Sequence, residues 1–266
     1  YKKRKRLEDL PTSLSLFGVG PEEDLFNSPD LAPEDMEFEV VTTSDKAEEG
    51  KMLGKDYTNL LEITASFNVE NNPGRSSRFC IREKNTGKYV GFIKLGSPVL
   101  NIKPRNAYFG VSKTPLDLAN KHFVNGFNIV PAQPFGFNCL GGKLLALYCC
   151  SHELREFLNE KYEKMEALFF ETTSLYGSIK NVSQYDGLKP FLRHSGNTES
   201  KLLLNLSDEL YAKTRDFLQE KNGGPLYVTD QELPTSVKMR TQDRIYSILK
   251  NNLKVYDLNK FEAFKK

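Results

Sequence analysis

The chain of 266 residues contains no tryptophan and only three histidines, His122, His152 and His194. These are too scattered in sequence to make a recognisable metal motif, so no metal is expected. No stretch approaches the roughly 18 uninterrupted apolar residues of a membrane span. The basic cluster at residues 2–6 is followed by no apolar run, which argues against a secretory signal. Cysteine is sparse as well. Cys80, Cys139, Cys149 and Cys150 lack zinc spacing, and the adjacent pair sits in an apolar helical pattern. Reduced, buried thiols in a cytoplasmic protein are the expectation. No Gly-x-Ser-x-Gly elbow is present, so a hydrolase built on Cys139 is only a third reading.

What is present is an ordinary globular composition, 39% hydrophobic and 27% charged. Eighteen Phe and twelve Tyr can fill a substantial core. The net charge of +2 hides an asymmetry. Residues 2–6 are all basic, while residues 8–49 hold thirteen acids against Lys46 alone. That leaves 31 basic and 22 acidic residues after position 49, a body of net charge +9. A basic body with an acidic arm points to an anionic partner such as DNA, which the arm can mimic or shield. A solvated tail without function would look the same.

Four prolines among the acids make residues 1–50 read as an extended or partly disordered arm. A helix is predicted around Asp56–Phe67. FCIRE-KNTG-KYVGFIKLG is a strong hairpin signal, two β-rich runs about an Asn/Gly turn. RNAYFGVSK, 105–113, reads as a strand. Asn128–Phe137 reads as an extended segment that enters a Gly141-Gly142 turn and then a helix opening at Lys143. Apolar residues spaced by three and four continue to Leu158, with Ser151 as an interruption, so 143–150 and 152–163 are expected as two helices. Ala167–Ser174 is a short strand and YDGLKPF, 185–191, a turn or short helix. Helices are expected at 202–217 and 236–253. The domains are thus an arm (1–50), an α/β domain (51–205) and a helical extension (206–266).

The glycine turn is the most telling stretch. A strand that passes through glycines into a helix N-terminus presents unpartnered N–H groups and partial positive charge to an anion. Lys143 adds a full charge there. Gly141, Gly142 and Lys143 are the phosphate-site candidates, with tight helix–sheet packing as the plain alternative for the glycines. Glu171 ends a strand beside this turn and can act as a base on an amine. Alternation places Glu171 and Thr173 on one face and Thr172 and Ser174 on the other, so only one set can face a cleft. Arg75, Arg78, Arg105 and Arg193 supply basic character for nucleic acid, and Tyr108, Phe109 and Tyr176 can stack a base.

The order hairpin, strand, glycine turn, helix, strand, tyrosine turn resembles the GNAT acyltransferase fold over roughly residues 75–195. A narrower resemblance rests on LGGKLLALYCCS, on ETTSLYGSIKNVSQYDGLKPF and on RHSGNTES. These are similar to the DUF4338 proteins, a group that includes the DruA component of the Druantia anti-phage system and is distantly similar to GNAT-like DNA-modifying proteins of the phage Mom type. The resemblance implies an α/β (α+β) fold with a GNAT-like mixed central sheet flanked by helices. It also implies a bacterial host cell, association with other phage or defence proteins, and acyl-type transfer to a base amine of nucleic acid. A GNAT loop would lie on Asn138, Cys139, Leu140, Gly141, Gly142 and Lys143 and hold acyl-CoA. Asn138 and Lys143 depart from its usual pattern, so another phosphate-bearing donor, or a nucleic-acid backbone, fits the turn as well. Tyr185 falls where many GNAT enzymes place a general acid. The alternative reading is a binding module that keeps the fold without turnover.

Overall fold

The computed structural model describes residues 24–27, 31–65, 74–99, 101–139, 141–174, 183–198 and 208–223, with isolated positions 251 and 259. Two compact units divide it, 1–198 and 199–266. In the second, the helix α7 (Asp208–Asn222) is described. It overlaps the helix expected at 202–217 over 208–217 and runs on to Asn222, while 202–207 fall outside the described residues. The helix expected at 236–253 falls outside the described residues.

The first unit is organised by a mixed sheet of six strands in the order β2-β1-β3-β4-β5-β6. The hairpin comes from β3 (Ser76–Glu83) and β4 (Tyr89–Gly96). Its turn is closed by Glu83, whose carboxylate accepts from the Asn85 and Thr86 amides at 3.1 and 2.7 Å. Gly87 takes a positive φ of 68° there, open to glycine at little cost. Sequence analysis did not foresee β1 (Phe38–Ser44), which pairs antiparallel with β3 from within the expected arm. Val41 of β1 is buried, which makes this stretch part of the core rather than of an arm. β2 (Met52–Leu53) flanks it in parallel.

β5 (Phe123–Pro131) pairs antiparallel with β4, and β6 (Phe169–Thr172) pairs parallel with β5. β5 therefore starts before the expected Asn128–Phe137 and ends earlier. Pro131 and Pro134 lack the N–H that a continuing ladder needs. The expected strand at 105–113 is instead the helix α2 (Lys103–Tyr108), followed by α3 (Leu116–His122). Pro104 in its first turn favours a helix start.

β4 is buried along its whole length because both sheet faces are covered. On one face α1 (Gly54–Thr64) packs Tyr57, Leu60 and Leu61 against Cys80, Phe92 and Val130. On the other, α5 (Gly141–Tyr148) and α6 (His152–Lys161) pack Leu145, Leu154 and Leu158 against Phe79, Ile81 and Ile93. Ser151 caps α6 by accepting from the Leu154 amide at 3.3 Å, so the break expected there is real. Gly91 on β4 gives Leu145 its closest approach to the sheet, with the Leu145 methyls in the space a Cβ would take.

Candidate functional site

The site begins in β5. Lys94 faces Asn128 while Leu95 faces Gly126, so Phe127 is one residue too many on β5. Such a bulge bends a strand and re-aims the residues that follow. β6 accompanies β5 only as far as the Gly126–Thr172 pair, whereas β5 runs on to Pro131. Among the described residues no strand takes the place of β6 beside Phe127–Pro131, and the sheet opens on that side.

Beyond Pro131 the chain makes a short helix, α4 (Phe135–Asn138), and enters α5 at Gly141, two residues earlier than expected. The two glycines differ. A Cβ on Gly141 would lie 2.6 Å from the Phe135 ring, so packing alone demands glycine there. A Cβ on Gly142 would meet only Pro131, at 3.9 Å, so this position opens into space. Cys139 is half-buried against the core, its amide donating to the Phe135 carbonyl at 2.9 Å. Leu140 and the Asn138 side chain lie outside the described residues.

Lys143 does not stand alone. Its Nζ donates to the Asp186 carbonyl at 2.7 Å, which ties the start of α5 to the turn carrying Tyr185. Burial pushes the Tyr185 hydroxyl up to about 12, with hydrogen bonds to Gln184 and Thr172 offsetting part of the effect. Thr172 donates its own proton to the Gly126 carbonyl at 2.9 Å. The Thr172 hydroxyl thus meets both the Tyr185 side chain and the Gly126 carbonyl. Thr172 thus ties the Tyr185 turn to β5, one residue from the bulge.

Glu171 turns the other way, since successive residues of a strand alternate faces. Its carboxylate takes Arg105 Nη1 at 2.8 and 3.1 Å, with side-chain exposures of 15% and 6%. Burial raises the Glu171 carboxyl above its ordinary range, and the adjacent guanidinium pulls it part of the way back. Arg105 also donates to the Val99 carbonyl and lies 5.2 Å over the Phe123 ring. A residue expected to be a base and one expected to grip nucleic acid are thus partners.

The other arginines are dispersed. Arg75 lies over the Tyr162 ring at 5.7 Å, with a buried Nη2 that has no hydrogen-bond partner. Burial lowers its guanidinium below the ordinary value. Arg78 lies over the Tyr57 ring at 5.6 Å, on the α1 face, and Arg193 is exposed. Sequence reasoning passed over Lys94, Asn125 and Asn128, all buried in β4 and β5. The signal was available: polar residues inside otherwise apolar strands are costly unless they are used. Among the described residues no group of three or more His, Cys, Asp or Glu is placed to hold a metal ion, and no helix is long and apolar enough to cross a membrane.

A family model described as Druantia protein DruA matches residues 27–249. A Druantia protein DruA of Escherichia coli (strain UMEA 4076-1) is 25% identical over 178 residues. That alignment covers 62% of this chain and 44% of the relative, so the chain spans less than half of the curated relative's length. Matched by the family model over most of its length, the chain belongs to the DruA family.

Proposed function

We propose that this chain is a group-transfer protein of anti-phage defence that moves an acyl-type group from a phosphate-bearing donor to a base amine of DNA. The observation that carries this reading is the meeting of the opened β5 edge, the Gly142–Lys143 helix entrance tied to Asp186, and the Tyr185–Thr172 contact. The helix entrance fits a phosphate: Gly142 leaves backbone N–H groups approachable and Lys143 supplies charge. Acyl-CoA, when bound, supplies an activated thioester. The chain's own part is to hold the phosphates at Gly142 and Lys143 and to keep a proton on the Tyr185 oxygen. With its raised value of about 12, that hydroxyl stays protonated at neutral pH and is available as a proton donor. Glu171 faces away from Tyr185, so a base role for it requires the acceptor amine to approach from the Arg105 side. The defence setting comes from family membership and extends to association with other defence proteins.

The test is mass spectrometry of nucleosides from DNA produced with and without the protein. New mass on one base, lost in the Tyr185→Phe variant, is the expected result. Unchanged nucleosides favour the second reading, a DNA-binding module without turnover. The Arg105–Glu171 pair favours that second reading, because it ties up the candidate base.

A further inference from the structure

The bulge at Phe127 has a second effect. Residues three apart on a regular strand point to opposite faces. Here Asn128 is the partner of Lys94 and Asn125 the partner of Gly96, and Lys94 and Gly96 share one face of β4. The extra residue therefore puts both asparagines on the same side of the sheet. That side is the one α1 covers, since the neighbouring pair Phe92 and Val130 packs in the α1 cluster. The polar row continues in both directions. Lys94 is also the partner of Arg78, and Asn125 is the partner of Glu171, which holds Arg105.

Two features of this row work against stability. Asn125 and Asn128 are 5% and 4% exposed, yet among the described residues neither carboxamide has a hydrogen-bond partner. Buried amides left unbonded cost free energy. Arg78 and Lys94 set like charges directly opposite each other, which destabilises a strand pair. Burial, and then the Arg78 guanidinium, hold the Lys94 ammonium below its ordinary range. A ligand that is anionic at one end and carries both a donor and an acceptor at the other relieves both.

We propose that this row seats the acceptor nucleotide, with the Asn125 and Asn128 carboxamides on its base and Arg78 and Lys94 on its phosphate. A base with an amine beside a ring nitrogen, as in adenine and cytosine, donates to a carboxamide oxygen and accepts from its NH2. An acidic side chain would meet the cations but leave the carboxamide oxygens without donors. β3 and β5 lie about 10 Å apart, the reach of one nucleotide from phosphate to base. Glu171, the register partner of Asn125, then stands beside the amine, on the approach that a base role for it requires. The proposal rests on the nucleic-acid reading above and adds which face of the sheet receives the acceptor.

The experiment compares wild type, Asn125→Leu, Asn128→Leu and Arg78→Gln for binding to labelled oligodeoxyadenylate and to an abasic oligomer of equal length at low salt. Wild type should prefer the adenylate. Each Leu variant should lose about 5- to 100-fold on the adenylate, towards the abasic level, with abasic binding unchanged. Their melting temperatures should not fall, because an apolar side chain of similar size replaces an unbonded amide. Asn125→Ala and Asn128→Ala carry the same binding test if a Leu variant does not fold. Arg78→Gln should weaken both oligomers alike and flatten the salt dependence. Asparagine variants that melt lower yet bind adenylate like wild type show the amides to be structural and overturn the proposal. Wild type that does not distinguish the two oligomers also overturns it, while sparing the nucleic-acid reading. Failure of wild type to bind either oligomer overturns both.

Discussion

Tyr185 and Gly142 are the residues on which the proposed chemistry turns, and each allows a clean substitution. Tyr185→Phe keeps the ring and removes only the hydroxyl. Nucleoside modification should fall roughly 10²–10⁴-fold with little change in melting temperature. Loss of about 1 kcal/mol of stability with activity retained would show the hydroxyl to be structural. The pH sign follows from the raised value of about 12: the donor form persists throughout the neutral and mildly alkaline range, so this residue adds no alkaline limb to the rate profile there. The glycines should separate in the same way. Gly141→Ala drives a methyl into the Phe135 ring and should cost about 1–3 kcal/mol in urea melts. Gly142→Ala has room and should leave stability within about 1 kcal/mol, yet weaken binding of acyl-CoA or nucleotide in calorimetry. Equal ligand binding by Gly142→Ala and wild type would remove the helix entrance from the mechanism. The helix entrance itself was readable from glycine and lysine spacing. The bonds from Lys143 to Asp186 and from Glu171 to Arg105 were not, because contacts between residues so distant in sequence leave no local pattern.

At the scale of elements, local chemistry was read well and tertiary demands were not. The KNTG turn holds because Glu83 binds it. Burial pushes the Glu83 carboxyl up, but hydrogen bonds from Thr86, Asn85 and Glu37 outweigh that and leave it below its ordinary range. A depressed carboxylate contributes stability above its unfolded value, near pH 4.3, and loses it as pH falls through the lower folded value. Glu83→Gln should therefore be less stable at neutral pH and show a flatter acid limb in pH-dependent melts. The stretch 105–113 has strand-like residues, yet its first four lie in α2, where Arg105 pairs with Glu171 of β6. That pair can be dissected too. Glu171→Ala strands a buried guanidinium and should cost about 3–5 kcal/mol. Arg105→Met combined with Glu171→Leu should recover most of the loss in denaturant titrations. A Glu171→Ala variant as stable as wild type would mean that α2 is held by something else.

For the whole molecule, the question is what the acidic N-terminal stretch does to the basic body. Truncation to residue 50 cannot answer it, because it removes β1 from the sheet. Substitution can. Glu34, Asp35, Asp45 and Glu49 are exposed, so Glu34→Gln, Asp35→Asn, Asp45→Asn and Glu49→Gln together discharge the surface without touching the core. The quadruple variant should bind DNA more tightly at low salt and lose affinity more steeply as salt rises. Unchanged affinity would make the acids a solvated face and nothing more. The charge imbalance was plain in the sequence. The place where the arm joins the fold was not, since no composition rule distinguishes an anchored segment from a free one.

That junction has a consequence of its own. Phe26 is buried, its amide donates to the Tyr89 carbonyl at 2.9 Å, and its ring meets Phe135 edge-on at 5.6 Å. Phe135 is the same ring that fills the space beside Gly141. One aromatic side chain is therefore shared between the anchorage of the N-terminal segment and the threshold of α5. Any occupant of the helix entrance that displaces this ring does work on Phe26. By thermodynamic reciprocity, a protein that takes hold of the N-terminal segment then changes the occupant's affinity by the same factor as the occupant changes its own.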